Sequence, residues 1–132
     1  MKPKIAGRLL KKRVLELLQH PEIDAGIQQI CQFPYRQVVN PLFSFLYSLD
    51  DTIKWRAVSA MGAVIARLAE KEMESARIVM RRFIWNLNDE SGGIGWGSPE
   101  AMGEVVARSD TLAPEYLPIL VSYADPSGNY LE

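Results

Sequence analysis

A block of eight residues recurs 41 positions on with six of them identical: Ala60-Met61-Gly62-Ala63-Val64-Ile65-Ala66-Arg67 returns as Ala101-Met102-Gly103-Glu104-Val105-Val106-Ala107-Arg108, with Trp55 and Trp96 in register. Self-similarity at such a period is the signature of stacked helical units, each burying its apolar side against the next. An all-α chain of about six or seven helices is therefore expected.

Periodicity places those helices. Ile5, Leu9, Leu10, Val14, Leu17 and Leu18 recur at threes and fours, with Arg8, Lys11, Lys12 and Glu16 between them, predicting an amphipathic helix over 5–18 that ends near Pro21. A short helix over 22–32 carries Ile23, Ile27, Ile30 and Cys31 inward and stops ahead of Pro34. Asn40-Pro41 reads as an N-cap followed by proline at the first helical position, so the next helix is expected over 41–48, with Leu42, Phe45, Leu46 and Leu49 inward.

Asp50 or Asp51 caps the longest helix, which is expected to reach about Glu70. Ile53, Ala57, Ala60, Met61, Val64, Ile65 and Leu68 form one apolar stripe on it, and Trp55, Val58, Gly62, Ala66 and Ala69 a second. Lys54, Arg56, Ser59, Ala63, Arg67 and Glu70 remain as a narrow polar strip. A helix apolar on two sides is packed from two sides, and this puts Trp55 in the core.

A further amphipathic helix over 72–87 buries Met73, Ala76, Met80, Phe83, Ile84 and Leu87, and residues 88–97 link it to a helix opened by Ser98-Pro99-Glu100 and ended near Ser109. Ala113-Pro114-Glu115 opens the last helix, with Tyr116, Leu117, Ile119, Leu120 and Tyr123 on its buried side and Pro118 close to its first turn. Gly62 and Gly103 each cost a helix about 1 kcal/mol relative to alanine, which points to close helix approach as compensation.

The match extends to the first helix of each pair. Leu42, Phe45, Leu46 and Leu49 align with Met80, Phe83, Ile84 and Leu87 at an offset of 38, and a further offset of 36 brings in Ile119, Leu120 and Tyr123. One domain over 1–132 follows: capping helices in 1–34, one repeat in 35–70, a second in 72–109 and an incomplete third in 112–132. A stack that stops after a first helix leaves an apolar side uncovered. A second helix is thus expected beyond residue 125, or completion of that end by another chain, self-association included.

This two-helix unit of about 40 residues resembles the HEAT repeat family, in particular the HEAT-like repeats of phycobilisome lyases. The carrying stretch is Asp50-Asp51-Thr52-Ile53-Lys54-Trp55-Arg56-Ala57-Val58-Ser59-Ala60-Met61-Gly62. It is similar to that family's acidic turn, apolar-basic step, alanines and closing Leu-Gly, with Met61 in the leucine's place. Residues 94–103 depart from the pattern, since Gly95 replaces the basic residue and Pro99 delays the helix start. The resemblance covers roughly residues 35–125 and implies a right-handed α-α superhelix whose second helices line the concave face.

Composition adds exclusions. At 48% apolar and 23% charged the chain has ordinary globular make-up. A single cysteine, Cys31, permits no internal disulfide and reads as a buried, inert thiol. The single histidine, His20, has no Cys or second His at ligand spacing, so neither a metal nor another cofactor is expected. Arg8 and Lys11-Lys12-Arg13 interrupt the N-terminal apolar run, which argues against a signal peptide or membrane span and for a cytoplasmic setting. Charge is unevenly spread: residues 1–82 carry 14 basic and 8 acidic side chains, whereas 83–132 carry one basic residue, Arg108, and 8 acidic. Such polarity favours charged partners or head-to-tail self-contact.

For function, no nucleophile, base and orienting group come together, and a non-catalytic scaffold binding another protein is the preferred reading. The expected surface is the strip Arg56, Ser59 and Arg67 beside Glu100, Glu104 and Arg108 on the equivalent helix. To these the segment from Asp89 and Glu90 to Trp96 adds a glycine-rich stretch, Gly92-Gly93-Ile94-Gly95, and Trp85 a neighbouring aromatic anchor. That segment lacks Lys and Arg and follows no strand, so it is a poor phosphate loop. Nucleic acid is disfavoured as a partner because the basic N-terminal set has no interleaved aromatics. The resemblance leaves two alternatives: a DNA-glycosylase-like role using Trp85, Asp89 and Trp96, and cofactor handling of the lyase kind.

Overall fold

The chain spends its length on helices because each apolar stripe recurs at helical spacing, and the computed structural model, which describes residues 7–89 and 98–124, shows seven of them and no strand among those residues. They are α1 (Gly7–Leu18), α2 (Ile23–Cys31), α3 (Tyr35–Phe45), α4 (Asp51–Lys71), α5 (Met73–Asp89), α6 (Ser98–Arg108) and α7 (Ala113–Ala124). The all-α class and the helix number expected from the repeat are those observed. No helix among the described residues is long and apolar enough to cross a membrane.

Contacts run in two rows. α2, α4 and α6 touch in succession, and α4 also meets α1, α3 and α5. In the other row Lys11 of α1 lies over the Phe45 ring of α3, Phe43 of α3 packs on Phe83 of α5 at 4.8 Å, and Arg77 of α5 pairs with Glu115 of α7. Eleven of the 21 residues of α4 are buried, which makes it the central helix. Met61 and Met102, the equivalent residues of the repeated block, are both fully buried. The core joins them to Val14, Leu18, Ile30, Leu42, Leu46, Ile65, Met80 and Phe83. Burial of this kind contributes about 1.5–3 kcal/mol per large side chain.

Local chemistry explains most boundaries. Asp50 caps α4: its Oδ1 accepts from the backbone N–H groups of Thr52 (2.9 Å) and Ile53 (3.3 Å). His20 closes the α1–α2 turn, its Nδ1 accepting the Glu22 N–H at 2.8 Å. In the same hairpin a side chain on Gly26 would collide with the Leu17 carbonyl, so only glycine lets α2 approach the end of α1. Before α7 the Ser109 hydroxyl accepts the Leu112 N–H at 3.2 Å.

Five expectations are corrected, the first being Leu9, which belongs to the apolar stripe of α1 by spacing but is 64% exposed. α3 begins at Tyr35 with Pro34 as its N-cap, not at Pro41, which lies inside the helix. Proline in a helix interior forfeits a hydrogen bond at a cost of about 3 kcal/mol. Beginning at Tyr35 offsets this by bringing Val38 and Val39 into the core beside Leu42 and Phe43. Asn40, freed from capping, accepts a hydrogen bond from Arg82 at 2.6 Å. Leu49, expected inward, is fully exposed, because α3 ends at Phe45 and its stripe no longer reaches that far. Trp55 is 49% exposed, with the Lys54 ammonium over its ring, since the second stripe of α4 is covered only from Val58 onward. Leu117 is 46% exposed, the interior of α7 being held by Tyr116 with Ile119 and Leu120 half-buried.

Candidate functional site

The repeated block folds into α4 and α6, and the two helices meet at Gly62. A β-carbon there would stand 2.6 Å from Cβ of Glu104 and 3.4 Å from Cδ of Arg108. Glycine is therefore what lets the α6 side chains cross the α4 backbone. Gly103 has no such duty: the nearest atom to an added β-carbon is Leu120 Cδ2, at 3.8 Å. Over the contact Arg108 Nε donates to Glu104 Oε1 at 3.0 Å, and Arg67 donates from Nη2 to the Gln28 amide oxygen at 2.6 Å. Arg67, Glu104 and Arg108 thus share one side of the molecule with α2.

Other members of the expected strip are distributed differently. Arg56 lies near the N-terminal end of α4 and is tied down there, its Nη1 donating to the carbonyls of Leu18 and His20 at 2.9 Å each, at the end of α1. Ser59 is half-buried and Ala63 is buried. Glu100 is half-buried, and its Oε1 makes no hydrogen bond with any described residue. Trp85 stands 68% exposed on α5, on the side away from the buried Phe83, and is not brought to Arg67, Glu104 and Arg108. Asp89 is the last residue of α5, while Glu90, Trp96 and the glycines between them lie outside the described residues.

Beside this strip is a feature that sequence reasoning missed: a cleft of about 450 Å³ between the α2–α3 turn and the C-terminal half of α4. Phe33, Val64 and Leu68 supply apolar wall, and Arg36, Arg67 and Lys71 supply positive charge, against one carboxylate, Glu72. Cys31 lines the same space. Burial pushes its thiol above the ordinary value, while the Arg67 and Arg108 guanidiniums pull the other way, so positive charge reaches the thiol from both α4 and α6. A half-buried thiol raised in this way is a weak nucleophile. The signal in the sequence was Phe33-Pro34-Tyr35-Arg36 followed by Arg67 and Lys71 one helical turn apart, but their convergence needs the fold.

No group of three or more His, Cys, Asp and Glu side chains among the described residues is arranged to hold a metal ion. Compared with protein-family models, curated proteins and solved structures, the chain gives no significant match to any of them. Any functional reading therefore stands on the chain's own residues.

Proposed function

We propose that the chain is a protein-interaction scaffold of the HEAT-like helical-repeat kind, receiving another protein along the side shared by α2, α4 and α6. One observation supports this above the rest. The block repeated in the sequence becomes two helices in direct contact, with Met61 and Met102 inside and Arg67, Glu104 and Arg108 displayed together outside. Exposed charge on adjacent helices gives a partner electrostatic specificity more than raw affinity. The proposed setting is the cytoplasm, and no chemical step is assigned to the chain.

The test is capture of a partner by the intact protein, with cross-linking to locate the contact. Reversing Arg67 and Arg108 to Glu should weaken capture about tenfold or more, while Arg81→Glu, on α5, should leave it unchanged. A partner held equally well by both variants would place the contact elsewhere.

A further inference from the structure

We propose that the cleft between the α2–α3 turn and α4 binds an extended acidic peptide segment, its carboxylates facing Arg36, Arg67 and Lys71 and an apolar side chain seated on Phe33. This names the kind of partner the scaffold would receive, and it rests on the scaffold reading above.

Charge makes the first argument. Arg67 gives its Nη2 to the neutral Gln28 amide and Arg36 its Nε to the Tyr35 hydroxyl, so neither bond neutralises the guanidinium. Neither arginine nor Lys71 enters an ion pair with any described residue, in contrast to Arg77, Arg81 and Arg108. Glu72 is the one acid in the lining, and its Oε1 accepts the Ser75 hydroxyl at 2.9 Å.

Spacing makes the second. Arg67 and Lys71 are four residues apart on α4, a rise of about 6 Å along the helix. Alternate residues of an extended peptide are about 6.6 Å apart and point the same way. Acids at alternate positions of a peptide lying along α4 would therefore meet both cations, while the residue between them turns away from α4, toward Phe33 on the facing turn. At about 450 Å³ the cleft is large enough to take one such side chain against Phe33.

The third argument separates peptide from polyphosphate. Glu72 lines the same cleft as Arg36, and it would repel a doubly charged phosphate more than a single carboxylate. Phe33, Val64 and Leu68 give the wall apolar surface among its charges, suited to a peptide side chain. The uncapped start of α3, where Pro34 offers no side-chain acceptor, adds partial positive charge on the Tyr35 and Arg36 N–H groups.

The experiment titrates the ¹⁵N-labelled intact protein at low salt with the peptide Ac-Glu-Leu-Glu-Phe-Glu and with its Gln-for-Glu counterpart. The expected result is amide shifts at Phe33, Arg36, Arg67 and Lys71, fading with added salt, and binding about tenfold weaker for the neutral peptide. The pair Arg36→Glu and Lys71→Glu should abolish the shifts. The milder pair Arg36→Gln and Lys71→Gln, with folding checked by circular dichroism, should weaken them, and Arg81→Glu should not. Equal binding of the neutral peptide, no shifts in the cleft, or tighter binding of a random-sequence RNA at the same amides would each overturn the inference. Shifts confined to Ser59, Glu104 and Arg108 would overturn it too, yet leave the scaffold reading standing. A chain that captures no protein at all removes that reading instead.

Discussion

Gly62 of α4 and Glu104 of α6 occupy neighbouring space so tightly that one added methyl on the glycine would sit 2.6 Å from the Glu104 β-carbon and 3.2 Å from its carbonyl carbon. The second of those atoms is backbone, which cannot swing aside as a side-chain tip can. The contact ties the repeat in the sequence to a close helix approach in the fold, and it separates two glycines that look equivalent on paper.

Gly62→Ala should destabilise the protein by about 1–3 kcal/mol, because overpacking outweighs the gain in helix propensity. Gly103→Ala, with Leu120 at ordinary contact distance, should be neutral or stabilising by up to about 1 kcal/mol. Urea denaturation of the two variants side by side decides this; equal effects would mean that the α4–α6 approach does not depend on glycine.

Arg56 ties α4 to the end of α1 through the Leu18 and His20 carbonyls. Arg56→Met keeps most of the stem but leaves both carbonyls without their charged donor, and should cost about 2 kcal/mol. Hydrogen exchange should quicken most in the α1–α2 hairpin. Unchanged exchange there would show the two bonds to be dispensable.

Acid should loosen α7. Arg77 holds Glu115 with two bonds, 3.0 and 2.8 Å, and shares Glu74 with Arg81. Hydrogen bonding from these arginines lowers both carboxyl pKa values below the ordinary 4.5. Groups depressed on folding stabilise above their unfolded pKa and lose that contribution as pH falls through the folded one. Stability should therefore decline as pH drops below about 4.5, and Arg77→Ala should flatten the decline. The pairs are exposed, so 1 M salt should shrink the difference. Parallel pH curves for the variant and the native chain would refute the assignment.

Trp55 and Met61 should respond in the opposite order to their size. Met61 is fully buried, and Met61→Ala should cost about 2–5 kcal/mol. Trp55 is half exposed, and Trp55→Ala should cost about 1 kcal/mol or less. Thermal unfolding compares them directly, and a larger loss at Trp55 would contradict the burial seen here.

Period alone determined a good deal of this molecule. The repeat at 41 residues, the apolar spacing and the capping acids Asp50-Asp51 were enough for an all-helical chain, for α4 as its longest helix, packed from two sides, and for Met61 and Met102 as equivalent interior residues. These features are local or periodic, and periodicity survives translation into one dimension. The start of α3 was misread because Asn40-Pro41 is a good capping pair in isolation, whereas burial of Val38 and Val39 against other helices outweighs a proline inside the helix. Trp55 was misread for a related reason: a stripe records which side of a helix is apolar, not how far along it a neighbour extends.

The candidate site was legible only in part. Arg67, Glu104 and Arg108 were foreseeable as a set because the repeat aligns their helices. The withdrawal of Arg56 to the α1 carbonyls, and the meeting of Phe33 and Arg36 with Arg67 and Lys71 around one cleft, were not. Helical spacing determines which side of a helix a residue occupies. What that side meets depends on the distance and angle of neighbouring helices, set jointly by side chains far apart in the chain, and only the packed structure decides it.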